Sequence, residues 1–382
     1  MIIPRCSKQQ FLLQPAGNPL NNMTLLINKI LINNKRGVAL IVTLAIISIL
    51  IATALHLAKT TGESVLFTIQ NSDAFTAKQM AISGINLAKS ILVEDADLTD
   101  IDSVQERWAS VDELKKAVAM LGYDTDAIQL KIEDELGKIQ INALINGYPG
   151  NQLNIAQSLV LERFFDLKIK YDTAFEQRDS ATIVNSLRDW LDSMDDDTVS
   201  GLSGAESEYY SNLESPYPCS NTPFNHISEL LNVNGLKGLD SVNFENFFTV
   251  YGLASTRNSK DKFQYFGKIN INTANVDVLA SILPEGMEEQ AQDIVDFRGQ
   301  MGKEEQSFIN ILDKGWYEKV IELSGKERGK IDRLVTYSSN IFKVECIARK
   351  NDVKITIKAF MKRQKQKGSA KWICRIIQME QK

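Results

Sequence analysis

An uninterrupted apolar run, Val38 to Ala58, contains no acidic or basic side chain, and the first charge after it is Lys59. An α-helix needs about 20 apolar residues to cross the hydrocarbon core of a bilayer, which is the length of this run. Its three hydroxyl residues can bond back to helix carbonyls without interrupting the span. They are Thr43, Ser48 and Thr53. The sequence therefore predicts a membrane-spanning helix over 38–58.

Basic residues precede the apolar run on its N-terminal side. Lys29, Lys35 and Arg36 all lie there. Short flanking segments that carry lysine and arginine stay on the cytoplasmic side of a membrane. We therefore expect a single pass, with the 300-odd residues after the run outside the cytoplasm.

The composition is that of a globular body. The 382 residues are 44% hydrophobic and 24% charged, which favours a sizeable core and more than one domain. The segment up to Gly37 holds five basic residues and no acidic one, so the rest of the chain has 38 basic against 48 acidic residues, a net charge of −10. This acidity argues against a general nucleic-acid binder and favours attraction of cations.

Three cysteines follow the apolar run: Cys219, Cys346 and Cys374. Cys346 and Cys374 lie in alternating apolar segments near the C-terminus. In an oxidising compartment they could form a cross-strand disulfide that leaves Cys219 unpaired. The alternative is three small buried thiols, and the sequence leaves the two open.

Helical periodicity continues beyond the apolar run, because small and apolar residues recur every three or four positions. These are Ala77, Ala81, Ile85, Ala88 and Leu92. One long helix is therefore predicted from Val38 to about Val93. Its first half is left for the bilayer or partner helices, and its second half packs on the body.

Alternating segments come before and after a helical block. Ile128 to Glu133 and Lys138 to Leu144 are predicted to pair as a hairpin. The pattern is helical from about Ile155 to Leu334, and strands return at the C-terminus. They are predicted at Ile341 to Arg349, Val353 to Lys362 and Lys371 to Gln378. The expected class is α+β: a long N-terminal helix packed on an antiparallel sheet, with a large, mainly α-helical insertion.

One candidate site is acidic. Five aspartates between Asp189 and Asp197 are followed by Gly204-Ala205-Glu206. A flexible loop with clustered carboxylates can supply the six to eight oxygens that calcium prefers, although the spacing is not that of an EF-hand. The open alternatives are a solvated acidic loop and, less favoured, paired carboxylates of a membrane-anchored hydrolase.

A second candidate resembles a helix-hairpin-helix unit. Gly267 to Ala274 precedes a helix predicted from Val276 to Ile282, which Thr273 or Asn275 would cap, and a second helix to about Arg298. DNA-binding hairpins offer backbone amides to phosphate. Here the turn and the residues behind it carry three carboxylates, so we interpret the unit as a protein-packing module. They belong to Glu285, Glu288 and Glu289.

The junction Lys35-Arg36-Gly37 before the apolar helix resembles a type IV prepilin signal. That resemblance implies cleavage after Gly37 by a prepilin peptidase, with Val38 as the new N-terminus. Val38 differs from the phenylalanine or methionine that is common there and makes efficient N-methylation less certain. The leader from Met1 is long for this class, and Met23 would give a shorter one.

Several motifs, in this order, resemble the K-type minor pseudopilin family of the type II secretion system. They are the Gly37 junction with its helix, Asp189-Trp190-Leu191-Asp192, Gly204-Ala205-Glu206 with Tyr209-Tyr210, Pro216-Tyr217, Ile227-Ser228-Glu229-Leu230, and Lys268-Ile269-Asn270-Ile271-Asn272-Thr273-Ala274. The resemblance implies a pilin-like fold and bound calcium, with Asp192, Asp195, Asp196, Asp197 and Glu206 as the expected ligands. It also implies a non-enzymatic role in protein export, at the tip of a short periplasmic pseudopilus.

The resemblance further implies contacts with I-type and J-type minor pseudopilins and with the major pseudopilin, and location in the inner membrane with the body in the periplasm. The chain is therefore predicted to divide into five segments. They are a leader (1–37), the transmembrane half of the helix (38–58), the pilin-like helix and first strands (59–154), the insertion (155–335) and the C-terminal strands (336–382).

The fifth position after the predicted cleavage site is Val42, where most pilin-like subunits have a glutamate. That glutamate meets the terminal ammonium of the preceding subunit inside the bilayer. Since a buried charge without a partner is costly, a chain with valine here suits the tip of a fibre. The competing hypothesis is a type IV pilus or competence minor pilin that binds DNA through the helix-hairpin-helix-like unit.

Overall fold

A computed structural model describes residues 35–124, 126–193, 199–254, 262–302 and 307–381, without the side chains of residues 35, 36, 253 and 254. Eight α-helices lie in these ranges: α1 (Lys35–Leu98), α2 (Val111–Met120), α3 (Ile155–Tyr171), α4 (Ser180–Leu191), α5 (Ser207–Ser211), α6 (Val276–Ile282), α7 (Gln290–Gly299) and α8 (Gly325–Leu334).

Ten strands lie in the same ranges: β1 (Ile128–Asp134), β2 (Ile139–Gln140), β3 (Phe248–Thr249), β4 (Leu253–Ala254), β5 (Gln264–Tyr265), β6 (Ile269–Asn270), β7 (Val335–Thr336), β8 (Ile341–Lys350), β9 (Val353–Lys365) and β10 (Trp372–Gln381). Short 3₁₀ helices occur at Arg107–Ala109, Ile141–Leu144, Thr173–Phe175, Ile227–Asn232, Phe244–Asn246 and Trp316–Lys319.

The chain divides into two compact units, Met1–Ser72 and Asp73–Lys382. The first contains the apolar start of α1, whose large hydrophobic side chains are exposed to the surroundings. As expected, the hydroxyls of Thr43, Ser48 and Thr53 donate to helix carbonyls three or four residues earlier. In the described part of the chain, α1 is the one helix that is long and apolar enough to cross a membrane.

In the second unit, the C-terminal part of α1 packs on a four-stranded antiparallel sheet of order β1-β8-β9-β10. The predicted helical stripe is buried against alternating residues of the sheet, such as Ile128, Val344 and Ile357. Spacing of three and four residues on the helix and of two on the strands brings these faces together. The predicted fold class is confirmed, since a pilin-like helix and sheet carry a large insertion.

The predicted hairpin between 128–133 and 138–144 is wrong. Strand β1 pairs along its whole length with β8, so that Ile128 lies opposite Ala348. Asp134 Oδ1 accepts a hydrogen bond from the amide of Leu136 and turns the chain away from the sheet. The next segment then pairs in parallel with β3 and continues as a 3₁₀ helix. Local alternation cannot reveal such a distant partner.

The predicted C-terminal strands are confirmed as β8, β9 and β10, with slightly later ends for all three. A disulfide is not formed: Cys346 lies opposite Ile357 on β9, and Cys374 lies opposite Arg363 on the other side of the same strand. Burial raises the pKa of Cys346 to about 12 and that of Cys374 to about 11, so both remain protonated thiols. This agrees with the alternative of small buried thiols.

Between β1 and β8 lies the insertion, which has its own apolar core. Fully buried aromatic rings dominate it, among them Phe164, Phe165, Phe175 and Phe248. Contacts among these rings, such as 4.9 Å between the centroids of Phe164 and Phe248, add to the burial of apolar area. The five-segment division of the chain stays a prediction, because the structure divides it only at Ser72.

Candidate metal centre and junction of the insertion

Helix α4 delivers the first carboxylate of the acidic site. Its N-cap Asp179 accepts a hydrogen bond from the amide of Thr182, and a buried apolar face holds the helix in the core. Asp189 lies in the last turn and Asp192 is the C-cap residue, so the spacing of three places both on one side. Asp189 is fully buried and Asp192 nearly so.

Glu206 is delivered by the segment that returns to the end of α4. It is the N-cap residue of α5 and is buried, and the neighbouring Ala205 packs in the core. Carboxylate oxygens of Asp189, Asp192 and Glu206 all lie within 4.8 Å of one another. These three residues form the acidic centre.

The return segment approaches Asp189 so closely that a side chain at position 204 is excluded. A Cβ built on Gly204 would lie 2.0 Å from Asp189 Oδ2 and 2.7 Å from the Ser200 nitrogen. The amide of Ser200 also donates to both carboxylate oxygens of Asp189, at 3.0 and 3.1 Å. The sequence Gly204-Ala205-Glu206 thus combines close approach, core packing and a carboxylate.

Burial raises the pKa of Asp189 despite the hydrogen bonds from Ser200. Placing three carboxylates this close in the interior costs free energy unless protons or a cation compensate their charge. Carboxylate oxygens are the ligands that calcium prefers. The chemistry of the acidic centre therefore fits calcium.

The structure brings together two of the predicted ligands, Asp192 and Glu206. The other three, Asp195, Asp196 and Asp197, lie outside the described residues. Sequence reasoning did not select Asp189 as a ligand, although it belongs to the same acidic run. Its spacing of three from Asp192 was the signal that could have identified it, because residues three apart lie on one side of a helix.

A second acidic group, Asp95, Asp102 and Glu106, differs because it already contains a cation. Arg363 donates to Asp95 Oδ2 at 2.8 Å and to Asp102 Oδ1 at 2.5 Å. Burial raises the pKa of Asp102 to about 6 and, with the nearby Asp95 charge, that of Glu106 to about 8. This group is an ion cluster that fastens the end of α1 to β9.

The motif Lys268 to Ala274 lies at the junction where the chain leaves and re-enters the sheet. The side-chain amide of Asn270 donates to the Asp102 carbonyl, to Asp134 Oδ2 and to Ser339 Oγ, at 2.9 to 3.0 Å. Asn272 accepts from the Trp316 indole at 2.6 Å. The motif that resembled part of a DNA-binding unit therefore forms a buried set of hydrogen bonds that joins the insertion to the segments around the sheet. We call this set, centred on Asn270 and Asn272, the clasp.

The two helices predicted after the clasp are confirmed as α6 and α7. Asn275 is the N-cap of α6, accepting from the Val278 amide at 2.9 Å, whereas Thr273 donates to Asp134 Oδ2. In the turn, the amide of Gly286 donates to Glu288 Oε1, and the same carboxylate contacts Arg163 on α3. A carboxylate thus takes the place a phosphate would need, which disfavours the DNA-binding alternative.

Another family motif has a structural role. His226 caps the 3₁₀ helix Ile227–Asn232, and Glu229 accepts from the His226 amide at 2.8 Å, so the pair forms a capping box. Leu230 is fully buried in the core of the insertion. His226 and Glu229 thus fix the start of this 3₁₀ helix, and their role here is structural.

The residues predicted for processing and for the fibre position lie on the exposed start of α1. Val38 and Val42 are 43% and 50% exposed, and Gly37 precedes them on the same helix. Cleavage after Gly37 and the role of Val42 stay predictions.

The long helix, the sheet and the large insertion together define a pilin-like fold, and the described residues include one apolar helix long enough to cross a membrane. Comparison with known proteins shows which proteins the chain is similar to. Residues 137–252, which include the whole acidic centre, match the family model of type II secretion system protein K. A curated "Type II secretion system protein K" from Pectobacterium carotovorum subsp. carotovorum is 28% identical over 206 residues, which is 53% of this chain and 59% of the relative.

The fold is similar to a chain in the crystal structure of the GspK-GspI-GspJ complex from the type 2 secretion system of enterotoxigenic Escherichia coli. The TM-score is 0.57 at 16% identity, covering 82% of this chain and 99% of that chain. The family model and the curated relative agree with the resemblance of the sequence motifs to the K-type minor pseudopilins, and the solved structure agrees with the fold.

Proposed function

We propose that this protein is a minor pseudopilin that occupies the tip of a type II secretion pseudopilus and helps to initiate or cap its assembly. The observation that carries the proposal is the match of residues 137–252 to protein K, because this segment covers the first part of the insertion that distinguishes the chain from a simple pilin. The chain spans about three fifths of the curated relative it matches.

The apolar start of α1 supports a position at the tip. If cleavage occurs after Gly37, Val42 takes the place of the glutamate that would neutralise the terminal ammonium of a subunit above. Leaving that ammonium unpaired inside a bilayer costs free energy. A subunit with valine at this position is therefore poorly suited to add beneath another subunit, whereas at the tip it needs no such partner.

The proposed partners are I-type and J-type minor pseudopilins, since the solved complex of similar fold contains GspI and GspJ. The major pseudopilin would lie below them, and a prepilin peptidase would remove the leader after Gly37. The proposed location is the inner membrane, with the body in the periplasm. N-methylation of Val38 belongs to the same proposal, as does a role without catalysis.

Calcium is proposed as a structural ligand of the acidic centre. Asp189, Asp192 and Glu206 would hold it through carboxylate oxygens, and the predicted Asp195, Asp196 and Asp197, which follow in the sequence, are further candidates. Bound calcium would supply the positive charge that lets these carboxylates ionise together. Because α4 and the segment before α5 both contribute ligands, binding would hold these two segments together.

Co-expression of the full chain with I-type and J-type minor pseudopilins, followed by detergent extraction, tests the proposal. A complex containing all three proteins is expected to copurify. The matched control is co-expression with the major pseudopilin alone, which should capture less. If no minor pseudopilin copurifies with the full chain, with or without added calcium, the proposed function is wrong.

A further inference from the structure

Strand β10 forms one edge of the four-stranded sheet. It pairs with β9 on one side, and no backbone hydrogen bond joins its other side to any segment that the structure describes. An edge strand presents a row of amide and carbonyl groups on which another strand can add. The open edge runs from Trp372 to Gln381.

Large apolar side chains are exposed along this edge. Ile376, Ile377 and Met379 are 41%, 48% and 53% exposed, and the register shift between Ile376 and Gln378 leaves Ile377 as a bulge residue. Single exposed apolar residues are ordinary, but three within four positions of an edge strand form a local patch. Burying them against a partner would be favourable.

The hairpin of β9 and β10 is strongly basic although the whole chain is acidic. Residues 353–381 contain eight lysines and arginines and a single acidic residue, Glu380. Four of the basic side chains are exposed at the end of β9, in the turn and on β10, and none of them takes part in an ion pair within the described residues. They are Lys365, Lys367, Lys371 and Arg375.

The inward-facing basic residues of the same hairpin have their own carboxylates. Lys358 pairs with Glu245, and Arg363 pairs with Asp95 and Asp102. Arg375, in contrast, is exposed on β10, where a carboxylate of an added strand would lie near its guanidinium.

We propose that β10 is a docking strand for an extended, acidic segment of a partner protein, which adds to the sheet as a fifth strand. Main-chain hydrogen bonds to the open edge would supply affinity, as in other cases of strand addition. Ile377 and Met379 would contact apolar residues of the partner. Arg375 and Lys371 would select carboxylates and repel basic strands.

This inference does not rest on the proposed function, since it uses only the sheet edge and its charges. An acidic strand fits better than an anionic lipid surface, because a flat layer of headgroups cannot satisfy the backbone groups of the edge. A second copy of this chain fits less well, since its own corresponding strand carries the same positive charge.

Binding of short synthetic peptides to the full chain in neutral detergent micelles tests the proposal. The probe is a peptide of alternating valine and threonine flanked by glutamates, and the control peptide has lysines instead. The glutamate peptide is expected to bind about tenfold tighter, or more, which corresponds to about 1.4 kcal/mol. It should also slow hydrogen exchange of the amides in residues 372–381.

Charge reversal on β10 supplies the matched variants. Lys371→Glu together with Arg375→Glu should reverse the preference between the two peptides. Lys354→Glu, an equally exposed lysine on β9 beyond the last residue paired with β10, should leave it unchanged. Glutamate peptides with alternate amides methylated should lose their binding, because they cannot complete the ladder.

Four results would overturn the proposal: equal affinity for glutamate and lysine peptides, binding that leaves exchange in residues 372–381 unchanged, equal binding of the methylated peptide, or dimerisation of the chain through β10 in sedimentation experiments. Equal binding of the methylated peptide would indicate attraction by charge alone, as expected for an anionic surface. Dimerisation would indicate a second copy as the occupant.

Discussion

The side-chain amide of Asn270 donates a hydrogen bond of 2.9 Å to Asp134 Oδ2, which joins the insertion to the end of β1. The same amide group also reaches the Asp102 carbonyl and Ser339 Oγ, so one side chain holds the segments after α1, after β1 and before β8. All four residues are buried. The insertion is thus attached to the pilin-like sheet through polar groups rather than through apolar packing alone.

Asn270→Ala is expected to destabilise the protein by about 2 to 4 kcal/mol, because it removes the donor to several buried acceptors at once. Asn275→Ala is the matched control, since Asn275 also donates through its amide but lies at a half-buried helix cap. Its loss should cost only about 1 kcal/mol. Urea denaturation of the full chain in detergent, followed by tryptophan fluorescence, measures both. Equal losses of stability in the two variants would contradict the proposed importance of the Asn270 hydrogen bonds.

The buried carboxyl groups near the clasp predict a dependence of stability on pH. Burial raises the pKa of Asp102 and of Asp134 to about 6, and that of Glu106 to about 8. Because these pKa values are higher in the folded than in the unfolded state, the folded state binds more protons. The resulting stability is present below their ordinary pKa values and is lost as the pH rises through about 6 and then about 8.

Glu106→Gln should therefore flatten the stability curve between about pH 6 and pH 8, where Glu106 is the group of the three that still titrates in the folded state. The glutamine can still accept from the Trp108 indole, as Glu106 does at 2.7 Å. Glu94→Gln makes the same charge change at an exposed pair with Arg107 and should leave the curve unchanged. Melting temperatures measured across this pH range at constant calcium test the prediction. An unaltered curve for Glu106→Gln would show that Glu106 does not cause the pH dependence of stability.

A close contact between α1 and the sheet predicts an unusual effect of adding a methyl group. A Cβ at Gly84 would lie 2.4 Å from Cys346 Sγ. Alanine normally stabilises a helix relative to glycine, but here overpacking should destabilise the protein by about 1 to 3 kcal/mol. The double variant Gly84→Ala, Cys346→Ala should recover part of the loss, since the smaller side chain makes room.

Gly62→Ala is the control on the same helix, because no atom lies within 4 Å of its added Cβ. It should be neutral or stabilising by up to about 1 kcal/mol. If Gly84→Ala and Gly62→Ala had the same effect on stability in urea denaturation, the result would contradict the close packing of α1 on β8.

Calcium is predicted to stabilise the fold through the acidic centre. With free calcium at one hundred times its dissociation constant, the stabilisation should be about 2.7 kcal/mol. Asp189→Asn and Glu206→Gln should each weaken binding by about tenfold or more, because ligand charge sets calcium affinity. Glu208→Gln, two residues further on and exposed, should leave it unchanged.

Isothermal titration with calcium, paired with melting temperatures in calcium and in chelator, measures these effects. If Glu208→Gln weakened calcium binding as much as Glu206→Gln did, general acidity of the loop would explain the result, and the acidic centre would not be the site. If the melting temperature of the native chain did not rise with calcium, the proposal that calcium is a structural ligand would be wrong.

The spacing of apolar residues correctly predicted the helices and strands that pack through a single apolar face. The stripe on α1 and the alternation in β8 and β9 needed only the local spacing of apolar residues. The pairing of β1 with β8 could not be predicted from the sequence, because the same alternation of apolar residues suits either a neighbouring or a distant strand as partner. For the acidic centre, composition identified the acidic residues, and the spacing of Asp189 and Asp192 could have added the third carboxylate. The close approach of Gly204 to Asp189 could not be predicted, because no local sequence pattern specifies it.

The position of the protein in assembled fibres tests the central claim most directly. Immunogold labelling of sheared pseudopili is expected to find the native chain at one end only. The variant Val42→Glu, which restores a carboxylate at the fifth position after Gly37, should place a fraction of the chain within the shaft. Labelling of the native chain all along the shaft, unchanged by Val42→Glu, would contradict the account.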